Sequence, residues 1–503
     1  VSTSIDPRTP VLVGVGQATD VFGSDDYAQL SSADLAAAAS RAAIEDAAGN
    51  GIGELIDVIA CVRPMELSTP LPPALGVSTK FPRSVAHRLG ITPEHAVLEV
   101  VGGQSPQHLV NEFAGRIAAG EYQAVLLAGG ESLSTQAHFG GREDAPDFTE
   151  HPDGEWDDRG AKWEGLLTDN EIAHALFIMS TTYALMDHAR RARLGLSVAD
   201  YAQQIGKLFA PFSEVAAANP LASTRHVRSS DDLAVPSAKN PLISDPYTRW
   251  VVAREKVNLG AAVLLMSVEA ARAAGVPEEK WVYLHGHADG KELPFLERPD
   301  LSTGPVAVRA AQQALEMAGV GAADLTTFDL YSCFAIPVFN ITDALGIALD
   351  DPRRLTVTGG LPFFGGPGNN YSMHAVVETV NRMRENPGGY GFVGANGGAM
   401  HKYSVGIYST TPVAWPGDAP SLSDEGERLT VALAAEGSGV IDTYTYSGDE
   451  QLGTVLGRLD SGERFVAHVP TDDPLFDLMR SGEAIGATVK ATSADGINTV
   501  RLA

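Results

Sequence analysis

Residues 100–130 read VVGGQSPQHLVNEFAGRIAAGEYQAVLLAGG, and residues 365–398 read GGPGNNYSMHAVVETVNRMRENPGGYGFVGANGG. Each stretch is a Gly-rich turn, an amphipathic helix pattern, a short Gly link and an apolar strand that ends in Gly-Gly. A shift of 267 places Ser105 on Ser372, Leu109 on Val376, Val110 on Val377, Phe113 on Val380 and Gly130 on Gly397. A constant offset across helix and strand marks a duplicated α/β unit. Such a unit sets two helix N-termini, with their unsatisfied N–H groups, toward one point. The glycines of 359–370 and the helix start at Gln104 would then hold an oxyanion.

Working outward, PVLVGVG (10–16), ELIDVIACV (54–62) and HAVLEVV (95–101) carry apolar runs rather than clean alternation. That is the pattern of strands covered on both faces. An Ala-rich helix pattern at 32–49 separates the first two. Strand and helix patterns resume at 261–267, 281–288, 306–317 and 327–330, so the chain reads as α/β. Residues 137–254 interrupt the rhythm with an acidic, Gly-rich loop and two long helical patterns, at 170–193 and 197–219. They read as an insertion over the sheet. The halves are then 1–275 and 276–412, followed by a Pro-rich linker at 413–420. Beyond it, short strands at 431–435, 439–447, 454–459, 464–469 and 487–492 predict an all-β module over 421–503, an OB-like barrel by size and strand number.

Composition narrows the function. The chain has 503 residues, 44% hydrophobic and 20% charged, with a formal charge of −27. No apolar run is long enough to span a membrane, and the opening VSTSIDPRTP has no leader-like pattern. Two cysteines, Cys61 and Cys333, make no disulfide framework or metal-ligand set. These features predict a cytoplasmic protein. The acidity argues against nucleic acid as a partner, for the C-terminal module as for the whole. Residues 223–256 run against that charge, with Arg225, Arg228 and Lys239 among six basic residues facing four acidic ones. A small anionic ligand would suit them.

The repeat, together with GEYQAVLLAGGES, DLYSCFAIPV, TVTGGLPFFGGPGNN and GFVGANGGAMHKYSVGIYSTTP, resembles the thiolase superfamily near the sterol-carrier-protein thiolases, over about residues 8–412. The C-terminal segments GVIDTYTYS and GRLDSGERFVAHV resemble OB-fold domains that accompany acyl-CoA enzymes. The resemblance implies a five-layer α-β-α-β-α core, acyl-CoA as ligand with no further cofactor, and a homodimer, a monomer being the alternative. It also locates the catalytic positions, and the chain departs from the family at each. Gly103 stands where the nucleophilic Cys belongs, Gly366 where the catalytic His belongs, and Ala395 where the second Cys belongs. Of the family's remaining tetrad, the stretch 331–334 retains Cys333 and offers Tyr331 as a candidate acid or base. Ser105, ahead of Pro106, reads as an N-cap rather than a substitute nucleophile. His374, in the first turn of the second repeat helix, reads as surface or capping, and His401-Lys402 as a pocket rim. By resemblance Arg225, Arg228 and Lys239 lie where coenzyme A docks. The reading is an acyl-CoA-binding protein of the acetyl-CoA acetyltransferase family without thiolase activity. The alternatives are a retro-aldol lyase on a β-hydroxyacyl-CoA and a non-catalytic lipid carrier or scaffold.

Overall fold

The computed structural model describes residues 5–69, 71–161 and 167–503; residues 1–4 and 70 of the first half and 162–166 of the insertion lie outside it. Two sheets carry the duplication. The first contains β1 (Pro10–Thr19), β2 (Val58–Cys61), β3 (His95–Leu98), β4 (Ala124–Ser132) and β5 (Asn258–Ser267), in the order β1-β5-β4-β2-β3. The second contains β6 (Tyr283–Lys291), β7 (Thr327–Leu330), β8 (Gly391–Gly397) and β9 (Lys402–Ser409), in the order β6-β9-β8-β7. Strand for strand the pairings repeat. β1 and β4 flank β5 antiparallel and β2 lies parallel to β4. Likewise β6 and β8 flank β9 antiparallel and β7 lies parallel to β8.

Helices complete five layers. α1 (Ser32–Asp46) covers the outer face of the first sheet, α2 (Ser105–Ala119) and α6 (Tyr371–Glu385) fill the middle, and α5 (Pro305–Ala318) covers the second sheet. α1 begins on a capping box, in which Ser31 and Asp34 satisfy each other's backbone N–H. Glycine permits the close outer packing twice over. A Cβ on Gly14 would lie 2.0 Å from Ala43 O of α1, and one on Gly286 would lie 2.0 Å from Ala314 O of α5.

The insertion differs from its sequence pattern in one place. The helix expected over 170–193 is two, Asp169–Ala173 and α3 (Met179–Arg193), with Ala175 at φ +61° between them. A non-glycine residue in the left-handed region ends a helix. The second expected helix is α4 (Val198–Ala218). Just before the insertion helices, Asp157–Asp158 pairs parallel with β3 and covers the edge of the first sheet.

The C-terminal segment closes a five-stranded barrel, β10 (Gly437–Tyr446), β11 (Gly453–Leu459), β12 (Arg464–Val469), β13 (Thr488–Ala494) and β14 (Ile497–Leu502). Its membership corrects the sequence reading. Residues 431–435 make only a single bridge, Val431 to Arg464, and β14 takes the fifth place. The helix α7 (Pro474–Ser481), capped by Asp473, was not anticipated. The linker is strapped down: Trp415 stacks on His287 at 4.9 Å, and Nε2 of His285 and of His287 reach the carbonyls of Thr411 and Gly417.

The barrel docks on the insertion and on the second half through buried polar contacts, and Arg464 is also held within the barrel by Asp442. Thr443 Oγ1 donates to Leu185 O (2.6 Å), and Arg464 donates to Arg298 O (2.5 Å) and to Asp442 (3.1 Å). Arg464 is 1% exposed. Arg464→Met is therefore expected to cost about 2 kcal/mol in urea denaturation, the usual worth of buried bonds from a charged donor. A shift below about 0.5 kcal/mol would show that the contact does not hold the barrel.

Candidate functional site

The two repeat helices begin against each other. Gly102 N donates to Asn369 Oδ1 (3.1 Å), Ser372 Oγ donates to Gly103 O (2.6 Å), and Asn369 Nδ2 reaches back to Arg63 O (2.8 Å). Ser105 is not the cap of α2. Gln104 holds the N-cap place without a side-chain cap bond, and Ser105 is buried one residue in, donating to Val100 O (2.9 Å).

The hydroxyl of Tyr331 fills the space that a side chain at residue 103 would need. A Cβ on Gly103 would lie 2.0 Å from Tyr331 Oη, 2.5 Å from its Cζ and 2.7 Å from Asn396 O. Tyr331 follows directly on β7. Its ring meets Tyr371 edge-on at 5.5 Å, and Tyr371 in turn donates to Asp329 at 2.9 Å. Asp329, at the end of β7, also accepts from Thr356 Oγ1 and Val357 N. Burial pushes its carboxyl up to about 6 against those bonds. Burial, with the neighbouring Cys333, also raises the Tyr331 phenol, so it stays protonated at neutral pH.

Cys333 lies beside it. Asn396 Nδ2 approaches Cys333 Sγ at 3.8 Å and donates to Tyr183 Oη at 2.7 Å. Tyr183 comes from α3 of the insertion, donates to Gly398 O (2.5 Å) and stacks on Phe334 at 4.5 Å. Burial pushes the Cys333 thiol up to about 12, with hydrogen bonds from Tyr183 and Asn396 opposing it. At neutral pH it is a thiol, a proton donor rather than a nucleophile.

Gly366 and Ala395 are also closely packed. A Cβ on Gly366 would touch Ala253 Cβ (3.3 Å) and Leu361 Cδ2 (3.5 Å), and Ala395 is fully buried within β8. The loop expected to offer an oxyanion hole uses its own donors. From Gly359 through Phe364 and from Gly366 through Asn370, every N–H that the chain carries is bonded within the protein. His374 is another correction, being fully buried with Nδ1 at 2.5 Å from Gln17 Oε1.

Arg225 and Lys239 stand exposed on the insertion, and Arg228 lies over the Trp250 ring at 3.6 Å. The chain near them is bonded to the glycine-rich loop, through Ser223 N to Phe364 O and Thr224 N to Phe363 O. A Glu99–His108–Glu112 cluster has the spacing of metal ligands, but Arg159 already donates to both glutamates. Sequence reasoning missed Tyr183 and Asn396. Asn396 stands inside the A-N-G-G turn and was readable there; nothing in the helical pattern around Tyr183 marks it.

A duplicated five-layer core meeting at two helix N-termini, with a barrel appended, is a thiolase-type architecture. No protein-family model matches the chain, and no curated protein does. Among solved structures it is similar to the monomeric SCP2-thiolase-like protein type 1 from Mycobacterium smegmatis, with 46% identity, a TM-score of 0.85, and coverage of 99% of this chain and 100% of that one. The chain belongs to the SCP2-thiolase-like family. More distant likenesses show the fold alone. The human mitochondrial 3-ketoacyl-CoA thiolase has 19% identity and a TM-score of 0.55, over 81% of this chain and 100% of that one. The dimeric peroxisomal thiolase of Saccharomyces cerevisiae has 16% identity and a TM-score of 0.56, over 80% and 98%. Among the described residues no helix is long and apolar enough to cross a membrane.

Proposed function

We propose that this protein binds a coenzyme A thioester where the repeat helices and the insertion meet, and does so without forming an acyl-enzyme. The observation that carries the reading is the Tyr331 hydroxyl, which takes the space a side chain at residue 103 would need. Acyl transfer through a covalent intermediate requires a nucleophile. Gly103 has none, and Cys333 is held as a thiol. What remains is a pair of proton donors, Tyr331 and Cys333, suited to hydrogen-bonding a carbonyl oxygen. The retro-aldol alternative needs a base at this point, and burial of the Tyr331 phenol works against one. The exposed Arg225 and Lys239, with Arg228, are proposed to meet the nucleotide phosphates. The covered β3 edge favours the monomer over the family's default dimer.

Incubation with acetyl-CoA or acetoacetyl-CoA is expected to leave the intact mass of the protein unchanged and to give no thiolysis. Calorimetry is expected to show CoA binding that weakens when Arg225, Arg228 and Lys239 are neutralised together. A stable acyl adduct would overturn the non-covalent reading. Absence of CoA binding at about millimolar concentration would overturn the ligand.

A further inference from the structure

A cavity of about 190 Å³ lies where the chain leaves the second half for the barrel. One wall is the stretch ahead of α5, with Glu292, Arg298, Asp300 and Thr303, and the other is the chain beyond the linker, with Asp424 and Glu427. The two walls are fastened together. Leu422 and Ser423 pair parallel with Gly290 and Lys291 of β6, Asp424 N donates to Lys291 O (3.1 Å), and Leu429 N donates to Glu297 O (2.9 Å). At about 30 Å³ for each water the cavity has room for about six, which is the size of a molecule with as many heavy atoms. None of Tyr331, Cys333, Gln104, His401 or Lys402 lines it.

Arg298 is the cation of the wall and is 4% exposed. Its Nε donates to Leu293 O (2.8 Å), while Nη2 is buried and has no hydrogen-bond partner. Burial disfavours its charge, and Glu292 foremost, with Glu171 and Asp424, sustains it by attraction. Among the described residues none of these carboxylates pairs with it directly. The charge is balanced, and what the guanidinium lacks is an acceptor. A buried donor left unbonded is costly. The carboxylates of the wall are partly spent. Glu292 Oε1 accepts from Val306 N (2.7 Å) at the start of α5, Asp300 accepts from Ser302 N (2.8 Å) and Thr303 Oγ1 (3.1 Å), and Asp424 accepts from Gly426 N (2.9 Å). Glu427 is exposed and, among the described residues, in no ion pair. One guanidinium stands against four carboxylates, a net −3. A simple anion would answer Arg298 and be repelled by the rest. A simple cation would suit the rest and leave Arg298 without an acceptor. A molecule with a carboxylate at one end and an ammonium at the other meets both conditions.

We propose that this cavity binds a small zwitterion, a primary amine and a carboxylate on a chain of one or two carbons, with the carboxylate on Arg298 and the ammonium toward Asp424 and Glu427. Both contacts are charge-assisted hydrogen bonds. Because the molecule touches both walls, its binding also braces the segment that leads into the barrel. The site borrows no residue from the thioester reading, and either can fail without the other.

Calorimetry on the full chain with glycine and with β-alanine tests it, set against acetate and ethylamine, which carry one end each. At least one zwitterion is expected to bind saturably, with a Kd of about 10 mM or tighter, and about tenfold more tightly than either single-ended molecule. Glu427→Gln, at an exposed position, is expected to weaken that binding about threefold to tenfold. Glu425→Gln makes the same charge change outside the wall and is expected to leave it unchanged. Arg298→Met is expected to abolish it, and Glu427→Gln decides the matter where that variant does not fold. No saturable heat with either zwitterion at about 50 mM, equal binding of acetate or ethylamine, or equal affinity in Glu427→Gln and Glu425→Gln would overturn the site.

Discussion

Gly103→Cys is expected to destabilise the protein by about 3 kcal/mol or more and to create no thiolase. A cysteine does not fit at residue 103 as the chain stands, because its Cβ would lie 2.0 Å from Tyr331 Oη and 2.7 Å from the Asn396 carbonyl. The first neighbour is a side chain and can move. The second is backbone in the strand β8 and cannot move without disturbing the sheet. Tyr331→Ala alone is expected to cost about 3–5 kcal/mol, as removal of a buried aromatic ring does. Combined, the two changes should cost clearly less than their sum, since the ring whose loss opens the cavity is the one that obstructs the cysteine. A coupling of about 1–3 kcal/mol in a double-mutant cycle, read by urea denaturation, is the expected size. Strict additivity would mean that Tyr331 does not occupy the space a side chain at residue 103 needs. Acylation of the double variant by acetyl-CoA would show that the rest of the thiolase machinery had been intact, which the Gly366 and Ala395 positions argue against.

The duplication was legible because a helix followed by a strand leaves two periodicities in order, and the offset of 267 preserved both. β7 fell on the expected residues, and β1, β4 and β5 run beyond their apolar stretches, to Thr19, to Ser132 and back to Asn258. The glycines and alanine at 103, 366 and 395 are plain in the sequence, but what surrounds them was not readable, because it involves contacts between residues remote in sequence: Tyr331 against Gly103, and Tyr183 of the insertion against Asn396 and Cys333. The loop half of the expected oxyanion site was misjudged on a similar point. Glycines signal that a backbone approaches something closely, and here it approaches its own side chains, such as Ser332 Oγ on Leu361 N. In the barrel, residues 431–435 had enough apolar character for a strand, whereas Ile497–Leu502, half exposed and only six residues long, gave a weak alternation that became a strand once β13 lay beside it. His374 was misplaced because a lone histidine in a first helical turn has the same pattern whether it faces solvent or the middle layer.

That buried histidine sets the second large effect, a loss of stability in mild acid. His374 is fully buried, its Nδ1 hydrogen directed at Gln17 Oε1 and its Nε2 without a partner, beside the Phe364 ring at 5.1 Å. Burial lowers its pKa to about 3. In the unfolded chain the ring titrates near 6.5. Above that value both states hold it neutral, and its contribution is fully present. As the pH falls from about 6.5 toward 3 the unfolded chain takes up a proton that the folded protein refuses, so stability drops by about 1.4 kcal/mol per unit, and the loss levels off below about 3. His401, His285, His287, His174 and His468 are shifted the same way, chiefly by burial. His108 works in the opposite sense, since its raised value gives stability that is present below 6.5 and lost as the pH rises through about 9. Asp187 and Asp329, each raised by burial to about 6, also gain on acidification as they take up the proton that burial favours. The total curve mixes these terms, and a difference between two proteins isolates one of them. His374→Gln keeps a donor for Gln17 and does not titrate. It is expected to be less stable than the parent by about 1–2 kcal/mol near pH 7.5, the worth of an imperfectly replaced buried bond. Near pH 5 that deficit should shrink by about 2 kcal/mol and vanish or reverse, because only the parent is resisting protonation there. Urea denaturation of the two proteins at both pH values measures it, and parallel stability curves would mean that residue 374 does not stay neutral in the folded state.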